Sequence, residues 1–174
     1  VKADSVHSID SLTIVRSEEL MERTQAEDEF RKLYEESERY NLTSLDNAQA
    51  ITGLMFFRPT RGMLTSMFDA NKKHFGVDVA ASPNESVLAT LDGTVVLATY
   101  TADTGYLIQV QHAQNLVSVY RHGGILLKQV GDVVKAGEAI ALVGNTGEKT
   151  TGPHLHFEIW NRGRALDPTK YIVF

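Results

Sequence analysis

Two short stretches of this chain alternate between apolar and polar residues at every position, and both carry histidine on the polar side. In His74-Phe75-Gly76-Val77-Asp78-Val79, the residues His74, Gly76 and Asp78 share one parity, while Phe75, Val77 and Val79 share the other. In His154-Leu155-His156-Phe157-Glu158-Ile159, both histidines and Glu158 fall on one side, and Leu155, Phe157 and Ile159 on the other. A period of two belongs to the β-strand, whose successive side chains point to opposite faces. Each segment can therefore bury an apolar face in a core while imidazole and carboxylate point together into a cleft.

The rest of the second part of the chain agrees with a β architecture. From about residue 51 onward, short β-branched and aromatic runs alternate with Gly, Asn and Asp turn signals. Strands are expected at Phe75–Ala80, Gly93–Tyr100, Tyr106–His112, Leu116–His122, Ala139–Val143 and His154–Trp160. Asp92-Gly93, Gly123-Gly124, Gly131-Asp132, Asn145-Thr146-Gly147 and Asn161–Gly163 read as the turns between them. The connections are too short for parallel crossovers, so the sheet is expected to be antiparallel. The fold class is mainly β, barrel-like, over residues 51–174.

Residues 1–50 differ. Between Ser17 and Tyr40 there is no Gly or Pro, and helix-favouring Glu, Arg, Lys, Leu and Met dominate. Ser17 followed by Glu18 and Glu19 is a suitable N-terminal cap. Phe30, Leu33 and Tyr34 form a short stripe at helical spacing. The expectation is an α-helical N-terminal extension. Between Ser17 and Tyr40, nine acids against four bases carry an excess equal to the chain's whole net charge of −5. The remainder is neutral, so nothing resembles a basic nucleic-acid footprint. One reading has this segment covering the cleft, with Asn41, Asp46 or Asn47 near it.

The chain has 174 residues and no cysteine, which excludes disulfides, thiolate metal sites and cysteine nucleophiles. Any metal must be held by His and carboxylate. Two imidazoles and one carboxylate form a catalytic zinc set with a free coordination position, whereas Mg²⁺ and Ca²⁺ prefer oxygen shells. Side chains at i and i+2 on one strand face stand about 6–7 Å apart at Cα. His154 and His156 therefore divide roles: one ligates while its neighbour works on the substrate. His122 ends the Leu116–His122 run, sharing parity with Ser118 and Tyr120, and is expected to join the same cleft.

These segments resemble peptidase family M23, the LytM/lysostaphin-type metallopeptidases. His74-Phe75-Gly76-Val77-Asp78 matches the family's HxGxD motif, Gly152-Pro153-His154-Leu155-His156-Phe157-Glu158 its GPHLHFE signature, and Tyr120-Arg121-His122 its Tyr-x-His element. The resemblance covers residues 54–174. It implies that His74, Asp78 and His156 ligate Zn²⁺, that His122 and His154 are the catalytic pair, and that the reaction is hydrolysis of peptidoglycan peptide bonds outside the cytoplasm of a bacterium. Asp69-Ala70-Asn71 and Gly123-Gly124 depart from the family pattern in the groove walls.

Some relatives activate other wall hydrolases, so a hydrolase or cell-division partner is the alternative. An anchor upstream of Val1 is left open, and no run of about 20 apolar residues is present. Glu158 reads either as a partner of the metal side or as a solvated strand residue. His112 reads as a hydrogen-bonded structural residue. Trp160 and Tyr120 read as packing or substrate-stacking aromatics.

Overall fold

The computed structural model describes Asp28, Glu29, Lys32, Leu33, Ile51 and residues 53–148 and 150–174. The chain divides into two compact units, Val1–Ala48 and Gln49–Phe174. In the first, Asp28, Glu29, Lys32 and Leu33 are helical, in keeping with the helical extension. The cap at Ser17, the stripe residues Phe30 and Tyr34, and Asn41, Asp46 and Asn47 lie outside the described residues.

Among the described residues the second unit has ten strands: β1 (Met63–Ser66), β2 (Val77–Ala80), β3 (Ser86–Leu88), β4 (Gly93–Thr101), β5 (Gly105–His112), β6 (Leu116–Leu126), β7 (Val133–Val134), β8 (Ala139–Val143), β9 (His154–Asn161) and β10 (Arg164–Leu166). Every pairing is antiparallel. The main path runs β1-β2-β9-β6-β5-β4-β7, with β10 on β9 and β8 joining β3 to β6. The architecture is the antiparallel β fold expected.

The two alternating segments become neighbours. β2 pairs with β9 so that Val77, Asp78, Val79 and Ala80 lie opposite Phe157, His156, Leu155 and His154. Residues directly opposite in an antiparallel ladder share a face. Val77, Val79, Leu155, Phe157 and Ile159 are all at most 1% exposed and lie in one apolar cluster with Ile108, Val110 and Leu116. Burying an aromatic such as Phe157 in such a cluster is worth about 3–5 kcal/mol against truncation to Ala. That burial fixes the register, because a slip of one residue would turn every valine outward and every histidine inward.

Four strands were not expected from the sequence: the short β1, β3, β7 and β10. Gly123-Gly124 is not a turn but lies inside β6. A Cβ on Gly144 would sit 2.3 Å from the Gly124 nitrogen, so the two backbones touch where side chains would separate them. There β6 leaves β5 and β9 and pairs with β8.

Two parity expectations are corrected. Phe75 does not enter the core with Val77 and Val79. Strand β2 begins only at Val77, and the half-buried Phe75 packs on Trp160 with ring centroids 5.7 Å apart. Ser118, Tyr120 and His122 do not share the cleft face. Tyr120, opposite Phe157, is in the core at 2% exposure, while His122 is re-aimed by a backbone at φ 65°.

Candidate metal centre

His74 is set in place by a turn rather than by a strand. Asp69 accepts hydrogen bonds from the amides of Asn71 and Lys72, capping the short 3₁₀ turn Ala70–Lys72. Lys73 then takes a left-handed conformation, and reciprocal backbone bonds join Asp69 to His74 at 2.9 and 3.0 Å. The Asp69-Ala70-Asn71 departure thus supplies the cap that presents His74. Asp78 and His156 come from the paired centres of β2 and β9.

The ligand atoms of His74, Asp78 and His156 all lie within 4.8 Å of one another. His156 Nδ1 is 2.7 Å from Asp78 Oδ1, and His74 Nε2 is 3.3 Å from Asp78 Oδ2. The second approach lacks hydrogen-bond geometry, so His74 Nε2 is buried with no hydrogen-bond partner. Its other nitrogen, Nδ1, donates to the Met67 carbonyl at 2.7 Å, which places the lone pair of the neutral ring on Nε2. A buried polar atom left unmatched costs about 1–3 kcal/mol. A cation beside it removes that cost. Nitrogen and carboxylate donors in this number fit zinc better than magnesium or calcium.

The electrostatics favour a cation too. Burial opposes the Asp78 charge, but the His156 hydrogen bond and the surrounding imidazoles outweigh it and hold its carboxyl below the ordinary value. Burial likewise opposes charge on His156, yet Asp78 and Glu158, one at each ring nitrogen, raise its pKa.

His122 and His154 stand together at one side, with ring centroids 4.7 Å apart. The His122 and His156 rings are 6.3 Å apart. His122 Nδ1 donates to the Thr146 carbonyl and His154 Nδ1 to the Gly152 carbonyl, each at 2.8 Å. In the neutral rings both Nε2 atoms therefore carry lone pairs. Desolvation, and then repulsion from His154 and His156, lower the His122 pKa against the Thr146 hydrogen bond. A histidine kept neutral can accept a proton.

Thr146, seen in the sequence only as part of a turn, ties this corner together. Its hydroxyl donates to the Gly123 carbonyl at 2.7 Å and accepts from the Tyr106 amide at 3.0 Å. The His122 amide donates to the Thr104 carbonyl at 3.1 Å. These bonds hold a non-glycine residue in the left-handed region, a conformation that costs energy and recurs at functional sites.

The five predicted residues line one cleft of about 270 Å³, together with Lys73, Phe75, Asp103, Thr104, Arg121, Glu158 and Trp160. Arg121 was not singled out from the sequence. Its position opposite His156 follows from the pairing of β6 with β9. Glu158 is no solvated strand residue: it is 3% exposed and bonds His156, Trp160 and Arg121. His112 is structural, between the Asp92 carbonyl at 2.8 Å and Ser118 Oγ at 2.7 Å. Ser118 Oγ in turn lies 3.0 Å from the Tyr120 hydroxyl.

The sequence profile of peptidase family M23 matches residues 72–168, more than half of the chain. The chain belongs to peptidase family M23. Over 117 residues it is 38% identical to the murein hydrolase activator NlpD of Escherichia coli K12, a match covering 66% of this chain and 30% of NlpD. Over 97 residues it is 36% identical to the murein hydrolase activator EnvC of the same organism, covering 56% of this chain and 23% of EnvC. The chain thus spans under a third of these M23 relatives. A solved zinc containing peptidase of Vibrio cholerae superposes with a TM-score of 0.63 at 30% identity, covering 70% of this chain and 40% of that one.

Proposed function

We propose that the chain is a zinc-dependent endopeptidase that hydrolyses peptide bonds in peptidoglycan stem peptides or cross-links, in the bacterial cell envelope. The observation that carries this reading is the donor set: His74 Nε2, buried and unpartnered, beside Asp78 and His156. His74 Nε2, an Asp78 oxygen and His156 Nδ1 would hold the ion. Residues 51–174 form the catalytic domain and residues 1–50 its helical extension.

Bound zinc supplies a water of lowered pKa, near ~7, and polarisation of the scissile carbonyl. The chain's own residues do the rest. His154 and His122 present Nε2 lone pairs to take the water's proton, and the resulting imidazolium stabilises a developing oxyanion or protonates the departing amine. Phe75 and Trp160 form an apolar wall against which a peptide can lie.

The test is digestion of purified peptidoglycan, analysed by mass spectrometry with and without chelator. Chelator-sensitive release of peptide fragments is expected. No cleavage by a chain shown to hold zinc would reject the reading. The 38% identity to NlpD favours a second one, a wall-binding module that activates another hydrolase. Cellular function surviving His154→Ala would select it. Among the described residues no helix is long and apolar enough to cross a membrane.

A further inference from the structure

We propose that Glu158 is a positioning residue for the metal, fixing the tautomer and angle of His156 so that Nδ1 faces Asp78. The inference rests on the zinc reading above.

Glu158 Oε1 lies 2.9 Å from His156 Nε2. An ionised carboxylate only accepts, so Nε2 keeps its proton and the neutral ring turns its lone pair to Nδ1. Nδ1 is the atom 2.7 Å from Asp78 Oδ1. Glu158 is itself immobilised. Its Oε2 accepts from Trp160 Nε1 at 2.6 Å, and Arg121 Nη2 lies 3.0 Å from Oε1. At 3% exposure it is screened little by solvent. The Arg121 guanidinium balances its charge, so Glu158 serves as an acceptor for the ligand rather than as a further ligand. A partner of this kind orients a metal-bound histidine and makes it a better donor.

The residue between His74 and Asp78 makes room for this clamp. A Cβ on Gly76 would lie 2.8 Å from Glu158 Cγ, 3.0 Å from His156 Nε2 and 2.4 Å from the Phe157 carbonyl oxygen. Any side chain there would push Glu158 or the His156 ring aside. Gly76, just before β2, and Glu158, in β9, are thus two halves of one device.

The test is the zinc dissociation constant of the full chain at fixed pH, by competition with a chromophoric chelator, for wild type, Glu158→Ala and Glu158→Gln. The His156 Nε2–H signal is followed by ¹⁵N NMR in the zinc-loaded proteins. Glu158→Ala is expected to bind zinc about 10–100-fold more weakly and to lose that protected signal. Glu158→Gln keeps the shape and one acceptor oxygen, and is expected to lose about tenfold; it keeps the test decisive if the alanine variant does not fold. Wild-type affinity in either folded variant, with the signal unchanged, overturns the inference. A wild-type chain that takes up no zinc instead overturns the zinc reading beneath it.

Discussion

Asp78 and His156 stand opposite each other on β2 and β9 and meet at 2.7 Å, carboxylate oxygen to imidazole nitrogen. Residues 78 positions apart in sequence become the two sides of one cleft. The apolar faces beneath them decide this, because burying Val77, Val79, Leu155 and Phe157 requires that register.

Removing a ligand should remove the metal while leaving the fold. His74→Ala, Asp78→Asn and His156→Ala are each expected to lose zinc during chelator-free purification, whereas wild type retains about one ion per chain. Metal analysis of the purified proteins checks this. Wild-type zinc content in all three would exclude the site.

His122 and His154 should separate from the metal in their effects. His154→Ala and His122→Ala are expected to keep zinc yet cleave peptidoglycan about 10²–10⁴-fold more slowly, the usual scale for losing a general base or acid. Fragment release per unit time, normalised to bound zinc, is the measurement. Rates near wild type in both would remove these residues from the reaction.

Zinc binding should expel a proton at pH below the raised His156 value. His156 has a raised pKa in the metal-free chain because Asp78 and Glu158 flank it, and its Nδ1 proton must leave before that nitrogen can ligate. Affinity is therefore expected to fall as pH drops through the raised His156 value. Proton release, measured by calorimetry in two buffers of different ionisation enthalpy, should shrink as pH rises above that value. A release independent of pH would contradict the assignment of Nδ1.

A second pH effect should come from His112, remote from the metal. Desolvation lowers its pKa despite its hydrogen bond to the Asp92 carbonyl and the nearby Asp92 charge. The unfolded chain therefore takes up this proton before the folded one. The contribution is present in full above the ordinary value of 6.5 and is lost as pH falls from there through the lowered value of the folded chain. His112→Gln, which does not titrate, is expected to show a flatter decline in unfolding free energy between neutral and mildly acidic pH. Parallel declines would show that His112 is not the group responsible.

Thr146 should matter through its hydroxyl. Thr146→Val leaves the Tyr106 amide and the Gly123 carbonyl without their partner, at a cost of about 0.5–1.5 kcal/mol in this partly exposed corner. Because the Thr146 carbonyl holds His122, kcat is expected to fall more than KM changes. Thr146→Ser should recover both. Equal kcat in the valine variant would show that His122 is held by other means.

Much of this molecule was legible because its patterns are local. Alternation along residues 74–79 and 154–159 revealed the apolar faces of β2 and β9, and the resemblance to the family's motifs singled out His74, Asp78 and His156 as the donor set. The misreadings arose where backbone conformation overrode parity. His122 reaches the cleft through φ 65° at a bulge rather than through strand alternation, and Phe75 precedes the strand it was assigned to. Gly123-Gly124 resembled a turn because glycine marks turns and close backbone crossings alike.

Residue identity and spacing over a few positions were enough for the apolar faces of β2 and β9, the donor types and, through the motifs, the family. It took the folded chain to place Arg121 opposite His156, Glu158 against Gly76, and the Thr146 carbonyl on His122. Those contacts join residues tens of positions apart, and their existence depends on strand register and bulges. The whole buried core fixes these at once, and no local stretch of sequence encodes them.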